Sequence, residues 1–300
     1  MRWRHRFRNG LTQPRTGRIS RPLSRGRLRP RLEQFEDRTL LASYTAASVS
    51  DLINDINAAN AGGGSNTITL AAKTNFTLTA VDNTTDGGNG LPVIAANDNL
   101  TIAGNGDSLQ RNSKSPAFRL FDVATGASLT LTNLTIQNGL ASGAGGGILN
   151  NGTLSVSGCT VSGNSAGSGG GIWNAGTMTV QNSTLSGNSA SGLGGGIENE
   201  GGYCTISGST LSRNSSAGFG GGIDNGEANL DIFGCTVSHN TATQDGGGIY
   251  LYQSGSVSIY NSVVCNNHAA SGDDLFDFSV YNFVTISNST VCVIVDGFTT

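Results

Sequence analysis

The sequence predicts an all-β chain: a right-handed, single-stranded parallel β-helix with a short N-terminal capping helix. Three observations carry this expectation. First, a Gly-Gly-Gly-Ile phrase returns along the chain, with its isoleucine at 148, 172, 197, 223 and 249. The steps are 24, 25, 26 and 26 residues, and a near-constant step of that size marks stacked supersecondary units. Second, Val161-Ser162-Gly163-Asn164 recurs between the glycine clusters as Leu185 to Asn188, Leu211 to Asn214 and Val237 to Asn240. Third, apolar and hydroxyl residues alternate at Thr67–Leu70, Phe76–Leu78, Leu100–Ile102 and Leu129–Leu131. Period two is the signature of a strand with one buried face.

Composition agrees. Glycine supplies 45 of 300 residues and proline only 5, while hydrophobic residues make up 36%. Periodic glycine with that much apolar content argues against disorder for most of the chain. Charged residues are 12%, so Ser, Thr, Asn and Gly must cover the surface. The net charge of −3 conceals a split. Residues 1–40 hold 12 arginines and 3 acids, a balance of +9, and the rest holds 5 basic residues and 17 acids, a balance of −12.

Residues 1–31 read as a solvated, arginine-rich arm, the larger part of a leader over 1–43. The acidic body argues against nucleic-acid binding. No stretch has the apolar core of a secretory signal, and none is long and apolar enough to span a bilayer. Residues 48–61 read as the only helix, a capping helix over about 50–61. Ser50 is its expected N-cap, with Asp51 in the first turn. Leu52, Ile53, Ile56 and Ala59 form its apolar face, and Gly62-Gly63-Gly64 ends it. A solenoid exposes its first layer, so this helix is expected to cover the body at 44–300. Residues 82–99 and 106–118 break the alternation and are expected to loop out, with regular coils over about 128–298.

One coil illustrates the rest. Leu154 and Val156 share a parity and point inward, while Ser155 and Ser157 point out. Gly158 bends the chain, Val161 points inward and Asn164 closes the second strand. Gly169-Gly170-Gly171 makes a corner, then Ile172 and Asn174 face one way and Trp173 the other. Three strands and three bends complete a turn, and about nine turns fit between 66 and 298. Stacking then forms apolar columns, Val156-Val180-Ile206-Ile232-Ile259 and Leu154-Met178-Cys204-Leu230-Val257. It also forms two amide ladders: Asn164, Asn188, Asn214, Asn240 and Asn267, and Asn150, Asn174, Asn199 and Asn225.

These Gly-Gly-Ile and Leu/Val-Ser-x-Asn phrases resemble the repeats of chlamydial polymorphic outer membrane proteins, with Leu or Val where those carry Phe. The resemblance covers about residues 48–298 and implies a pectin-lyase-like solenoid exposed on a cell surface. The segment Leu32-Glu33-Gln34-Phe35-Glu36-Asp37-Arg38-Thr39-Leu40-Leu41 resembles the leader of many large exported proteins of planctomycete bacteria. That resemblance implies export or outer-membrane association.

Chemistry is sparse. His5, His239 and His268 neighbour no nucleophile with an acid, so a triad is not expected. No Cys/His spacing suggests zinc. Cys159 and Cys235 share a column three coils apart and read as small buried residues. Cys265 and Cys292 follow Val264 and Val291, so they face outward on adjacent coils, at a spacing that suits a disulfide. Glu198 and Asp224 stack in one outward column and could hold a weak cation. Asp273-Asp274-Leu275 falls where the next Gly-Gly-Ile is due and reads as a degenerate corner. Only Lys73, Lys114, Arg111, Arg119 and Arg213 of the body could steer an anionic glycan. We therefore expect no catalytic residues, no cofactor and no resident metal. The expected function is a surface or adhesion module contacting a cell-surface glycan or protein through Leu149, Trp173, Glu198, Asp224 and Tyr250. A polysaccharide lyase or hydrolase is the alternative.

Overall fold

The computed structural model describes residues 41–253, 255–278 and 283–297. The leader expected over 1–43 therefore lies outside the described residues up to residue 40. The first strand, β1 (Ala42–Ala46), already belongs to the solenoid. It pairs in parallel with β2 (Gly64–Leu70), so the body starts slightly before 44. Its small residues hide it in sequence, because only Ala46 is fully buried.

Between them lies α1 (Val49–Gly62). Its N-cap is Ser48 rather than Ser50: the Ser48 hydroxyl accepts from the Asp51 backbone N–H at 3.1 Å. The Asp51 carboxylate accepts in return from the Ala47 N–H at 3.2 Å, a reciprocal arrangement that satisfies two orphan donors. Gly63 ends the helix at φ 60°, a conformation that glycine adopts cheaply. Leu52, Ile56 and Ala59 are buried against the first coils, with Ile53 packed beside them. The helix is the expected cover.

Parallel strands then stack into four sheets of ten, nine, four and eight strands among the described residues. The expected register holds. Leu154 lies beside Met178 and Val156 beside Val180, and the columns continue through Cys204 and Ile206 to Leu230 and Ile232. All of these are at most 1% exposed, and each buried side chain contributes roughly 1.5–3 kcal/mol. The stack also corrects three expectations. A coil has a fourth, two-residue strand, such as Ser165–Ala166 beside Ser189–Ala190. Two residues are too few to leave a periodic signal. The segment 106–118 contains a strand, Ser108–Arg111, paired between Asn75–Leu78 and Thr135–Gln137. It is hard to read because Arg111 takes an inward slot, donating to the backbone carbonyls of Asn138 (2.9 Å) and Ser115 (2.8 Å). Finally, 82–99 does not simply loop out. Leu91 and Ile94 are fully buried, and a strand begins at Asp98.

A buried ion pair secures that excursion. Arg119 lies 3.5 Å from Asp122, with side chains 2% and 0% exposed. It donates to the Asn89 side-chain oxygen (2.9 Å) and the Asp86 carbonyl (2.8 Å), and Asn89 donates to Asp122 (3.0 Å).

Both amide ladders form. Asn164 donates to Asn188, Asn188 to Asn214, Asn214 to Asn240 and Asn240 to Asn267, at 2.9–3.0 Å. The first amide oxygen accepts from the Gly139 N–H (2.8 Å), and the last amide donates to the Asp274 carboxylate (2.8 Å). The second ladder links Asn150, Asn174, Asn199 and Asn225 at 2.6–2.7 Å. The sequence reading missed a third line at the first bend. The N–H of Cys159 donates to the Ser183 hydroxyl, that of Ser183 to Ser209, that of Cys235 to Ser262 and that of Ser262 to Ser289.

Candidate functional site: an aromatic and carboxylate groove

The column Leu149, Trp173, Glu198, Asp224, Tyr250 stacks in register and continues to Phe276. It points away from the solenoid interior, as its parity requires. It is not the exposed contact strip expected from sequence: Leu149, Glu198, Asp224 and Tyr250 are 5%, 1%, 3% and 5% exposed, and only Trp173 is half-buried. The glycine corners explain the burial. Each turns through a left-handed residue, Gly194 and Gly220 at φ 60° and 61°, which carries the preceding segment back across the column. Phe219, just before one corner, stacks on Tyr250 with ring centroids 4.5 Å apart.

The cover is incomplete, and where it opens a groove of about 420 Å³ remains. Leu193 and Phe219 wall it from the corner side. Asp224 and Tyr250 line it from the column, and Glu200, Gly226, Tyr252 and Phe278 from the positions after the second amide ladder. Glu200, Gly226, Tyr252 and Phe278 occupy equivalent places on successive coils, each following a residue paired in register. Gly226 has no side chain, so the gap between Glu200 and Tyr252 stays open. The rings are mutually oriented: Tyr250 and Phe278 are tilted at 6.4 Å, and Tyr252 and Phe278 stack at 5.4 Å. A second concavity adjoins it, lined by Trp173, Leu193, Glu198 and Glu200. Leu193 and Glu200 stand on the boundary between the two.

Electrostatically the groove is one-sided. Glu198 and Asp224 are paired in register on neighbouring coils, and one carboxylate oxygen of each is buried without a hydrogen-bond partner. Burial, the Asp224 carboxylate and a hydrogen bond with Glu200 push Glu198 up to about 10. Burial and the charge of Glu200 push Asp224 up to about 7. Burial, with Asp224 and Asp245 nearby, also raises the Tyr250 phenol. Glu227 adds a further acid to the lining, and no Lys, Arg or His is among the described residues that form it.

The remaining expected residues fall elsewhere. Cys265 and Cys292 form the expected disulfide across adjacent coils, with Cα atoms 5.2 Å apart. Cys265 is buried rather than open to solvent. Cys159, Cys204 and Cys235 are free and buried. Leu275 pairs with Ile249, so Asp273-Asp274-Leu275 does stand in for a glycine corner. His268 lies 3.5 Å from Asp273, both away from the groove. His5 lies outside the described residues. The described residues hold one group of three metal-capable side chains, Cys265, Asp274 and Cys292, and two of these are bonded to each other. Arg111 and Arg119 are internal, so neither can steer an anion. Lys73, Lys114 and Arg213 remain exposed.

The model of a family described as the right handed beta helix region matches residues 111–264 and 150–295, together more than half of the chain. The chain belongs to that family. No curated protein and no solved structure matches it. Membership gives this β-helix its hand, as parallel crossovers require, and leaves its function to the groove. The sequence reading missed Phe219, Tyr252, Phe278, Glu200 and Glu227. The available signal was positional: each lies beside a repeated phrase and varies where the phrase does not.

Proposed function

We propose that this chain is an exported, cell-surface β-helix scaffold that binds a glycan without catalysis. One observation carries the reading: Phe219, Tyr250, Tyr252 and Phe278 wall a groove of about 420 Å³. That size lies within the ~300–1,000 Å³ of ligand pockets, where apolar walls surround a few polar groups. Sugar rings stack on aromatic faces while carboxylates accept hydrogen bonds from their hydroxyls. Two observations support placement outside the cytoplasm. The Leu32–Leu41 segment resembles an export leader, and the Cys265–Cys292 disulfide suits an oxidising compartment.

The test is retention of the purified chain on cell-wall glycans and on cells. Tyr252→Ser combined with Phe278→Ser should abolish retention and leave the far-ultraviolet circular dichroism unchanged, because both side chains are about 40% exposed. Retention equal to that of the parent would remove the reading.

A polysaccharide hydrolase is the second reading, favoured by one observation. Glu198 is held protonated beside Asp224, as a general acid beside a carboxylate would be. New reducing ends released from a polysaccharide by the parent, and not by Glu198→Gln, would replace the non-catalytic reading.

A further inference from the structure

Asp224 and Glu198 present an imbalance that the solenoid leaves uncorrected. Asp224 is 3% exposed and lines the groove, yet its Oδ2 has no partner. Glu198, on the neighbouring coil, is 1% exposed with Oε2 equally unpartnered. Glu200 and Glu227 add two acids at the same opening. Among the described residues, no cationic side chain lines the groove to answer them. Glu198 escapes the cost of a buried charge by staying protonated, whereas Asp224, raised only to about 7, is charged in part near neutral pH. A buried carboxylate without a counter-charge is costly, so the groove favours a ligand that brings a positive charge beside Asp224.

The walls narrow the choice of cation. A divalent metal ion wants six or more oxygens, and Glu198, Glu200 and Asp224 do not meet as a ligand cluster. Aromatic rings offer such an ion no ligand atom. They do suit a large, weakly hydrated organic cation, which is attracted by the negative faces of Tyr and Phe rings. Tyr252 and Phe278, stacked at 5.4 Å and about 40% exposed, form such a wall, while Phe219 and Phe276 stack on Tyr250 at 4.5 and 5.6 Å and leave its edge to line the groove. A neutral sugar could stack on these rings, but would leave the acids unanswered.

We propose that the groove is a recognition site for an organic ammonium group, caged by these aromatic rings and neutralised by Asp224. This deepens the glycan reading, on which it rests, by naming the chemistry of the bound group. Two sources carry it: a deacetylated amino sugar, or a choline-type quaternary ammonium headgroup. It also gives an organic identity to the weak cation that the stacked Glu198 and Asp224 could hold.

Isothermal titration calorimetry of the full chain tests it with four probes. Choline and 3,3-dimethylbutan-1-ol share a shape but differ in charge. A glucosamine tetramer and its N-acetylated counterpart share a backbone but differ in charge. We expect the charged member of at least one pair to bind about tenfold or more tighter than its neutral partner. The pair that discriminates identifies the source. Asp224→Asn should remove that preference, and it folds because it trades an unpartnered buried carboxyl for a neutral amide. Gly226→Val should block binding altogether. A Cβ at Gly226 meets its nearest atoms, Asn199 O and Glu200 Oε2, at an ordinary 3.5 Å, so the loss would reflect a filled groove.

Equal affinity for neutral and charged members, or an unchanged preference in Asp224→Asn, overturns the ammonium proposal. If the neutral tetramer binds equally well and Gly226→Val abolishes it, the glycan reading stands without the charge. No binding by any probe overturns the ammonium proposal and leaves the glycan reading to the retention test.

Discussion

Asp224 and Glu198 stand where water would normally solvate a carboxylate, and the stacked coils deny it to both. Their folded pKa values lie above their unfolded ones, about 7 for Asp224 and about 10 for Glu198. The fold therefore favours their protonated forms; the groups that face them are Glu200, Glu227, Asp245 and Tyr250. That stabilisation is complete below about pH 4, near the unfolded values. It is lost as pH rises through 7 and on towards 10. The melting temperature should fall between pH 5 and pH 9, and Asp224→Asn with Glu198→Gln should flatten the slope. An unchanged slope in the double variant would show that other groups set it. Asn214 makes the opposite case, a buried polar residue with every atom used. Its oxygen accepts from the backbone N–H and the amide of Asn188, and its own amide donates to the Leu185 carbonyl and to Asn240. Asn214→Ala orphans several buried groups at once and should cost on the order of 4 kcal/mol, read from the denaturant midpoint.

At the level of the elements, glycine has two roles, and paired substitutions separate them. Gly195 sits where coils touch: an added Cβ would lie 2.4 Å from the carbonyl oxygens of Gly221 and Ser215, both backbone. Gly187 has open space around its would-be Cβ but a φ of 63°. Gly195→Ala should depress the melting temperature far more than Gly187→Ala, whose cost is about 1 kcal/mol of left-handed strain. Arg213 and His239 already occupy the same bend as Gly187 at φ 57° and 60°, so that bend tolerates a side chain. The strands and the ladders were legible in sequence because each repeats with the coil, and the cap because its apolar residues recur at helical spacing before a glycine run. The segments that escaped are those that break the repeat for a local reason. Arg111 spends an inward slot on carbonyl bonds, and Leu91 and Ile94 are buried within a segment without alternation. The groove was only half legible. Sequence located the column of Glu198, Asp224 and Tyr250 but read outward parity as exposure. It could not foresee that the glycine corners fold Phe219 across the column.

For the whole described body, the disulfide acts locally. Cys265 and Cys292 close a loop with a sequence separation of 27, worth about 3.5 kcal/mol on chain-entropy grounds. Coils in a solenoid hold only their neighbours, so the loss should stay near that loop. Reduction should speed amide exchange at Val263–Cys265 and Thr290–Val291 and leave Thr160–Ser162 protected, as hydrogen-exchange mass spectrometry would reveal. Uniform acceleration would mean that the coils unfold as one unit. The amide ladder has a comparable reach along the stack. Every asparagine from Asn164 to Asn240 passes its hydrogen bond in the same direction, starting from one backbone N–H and finishing on one carboxylate. Such a wire has a sender and a receiver but no preferred number of relays between them. A tandem duplication of one 26-residue unit would add a relay and keep both terminators in use, so the protein's length could drift in evolution while its ends stay the same.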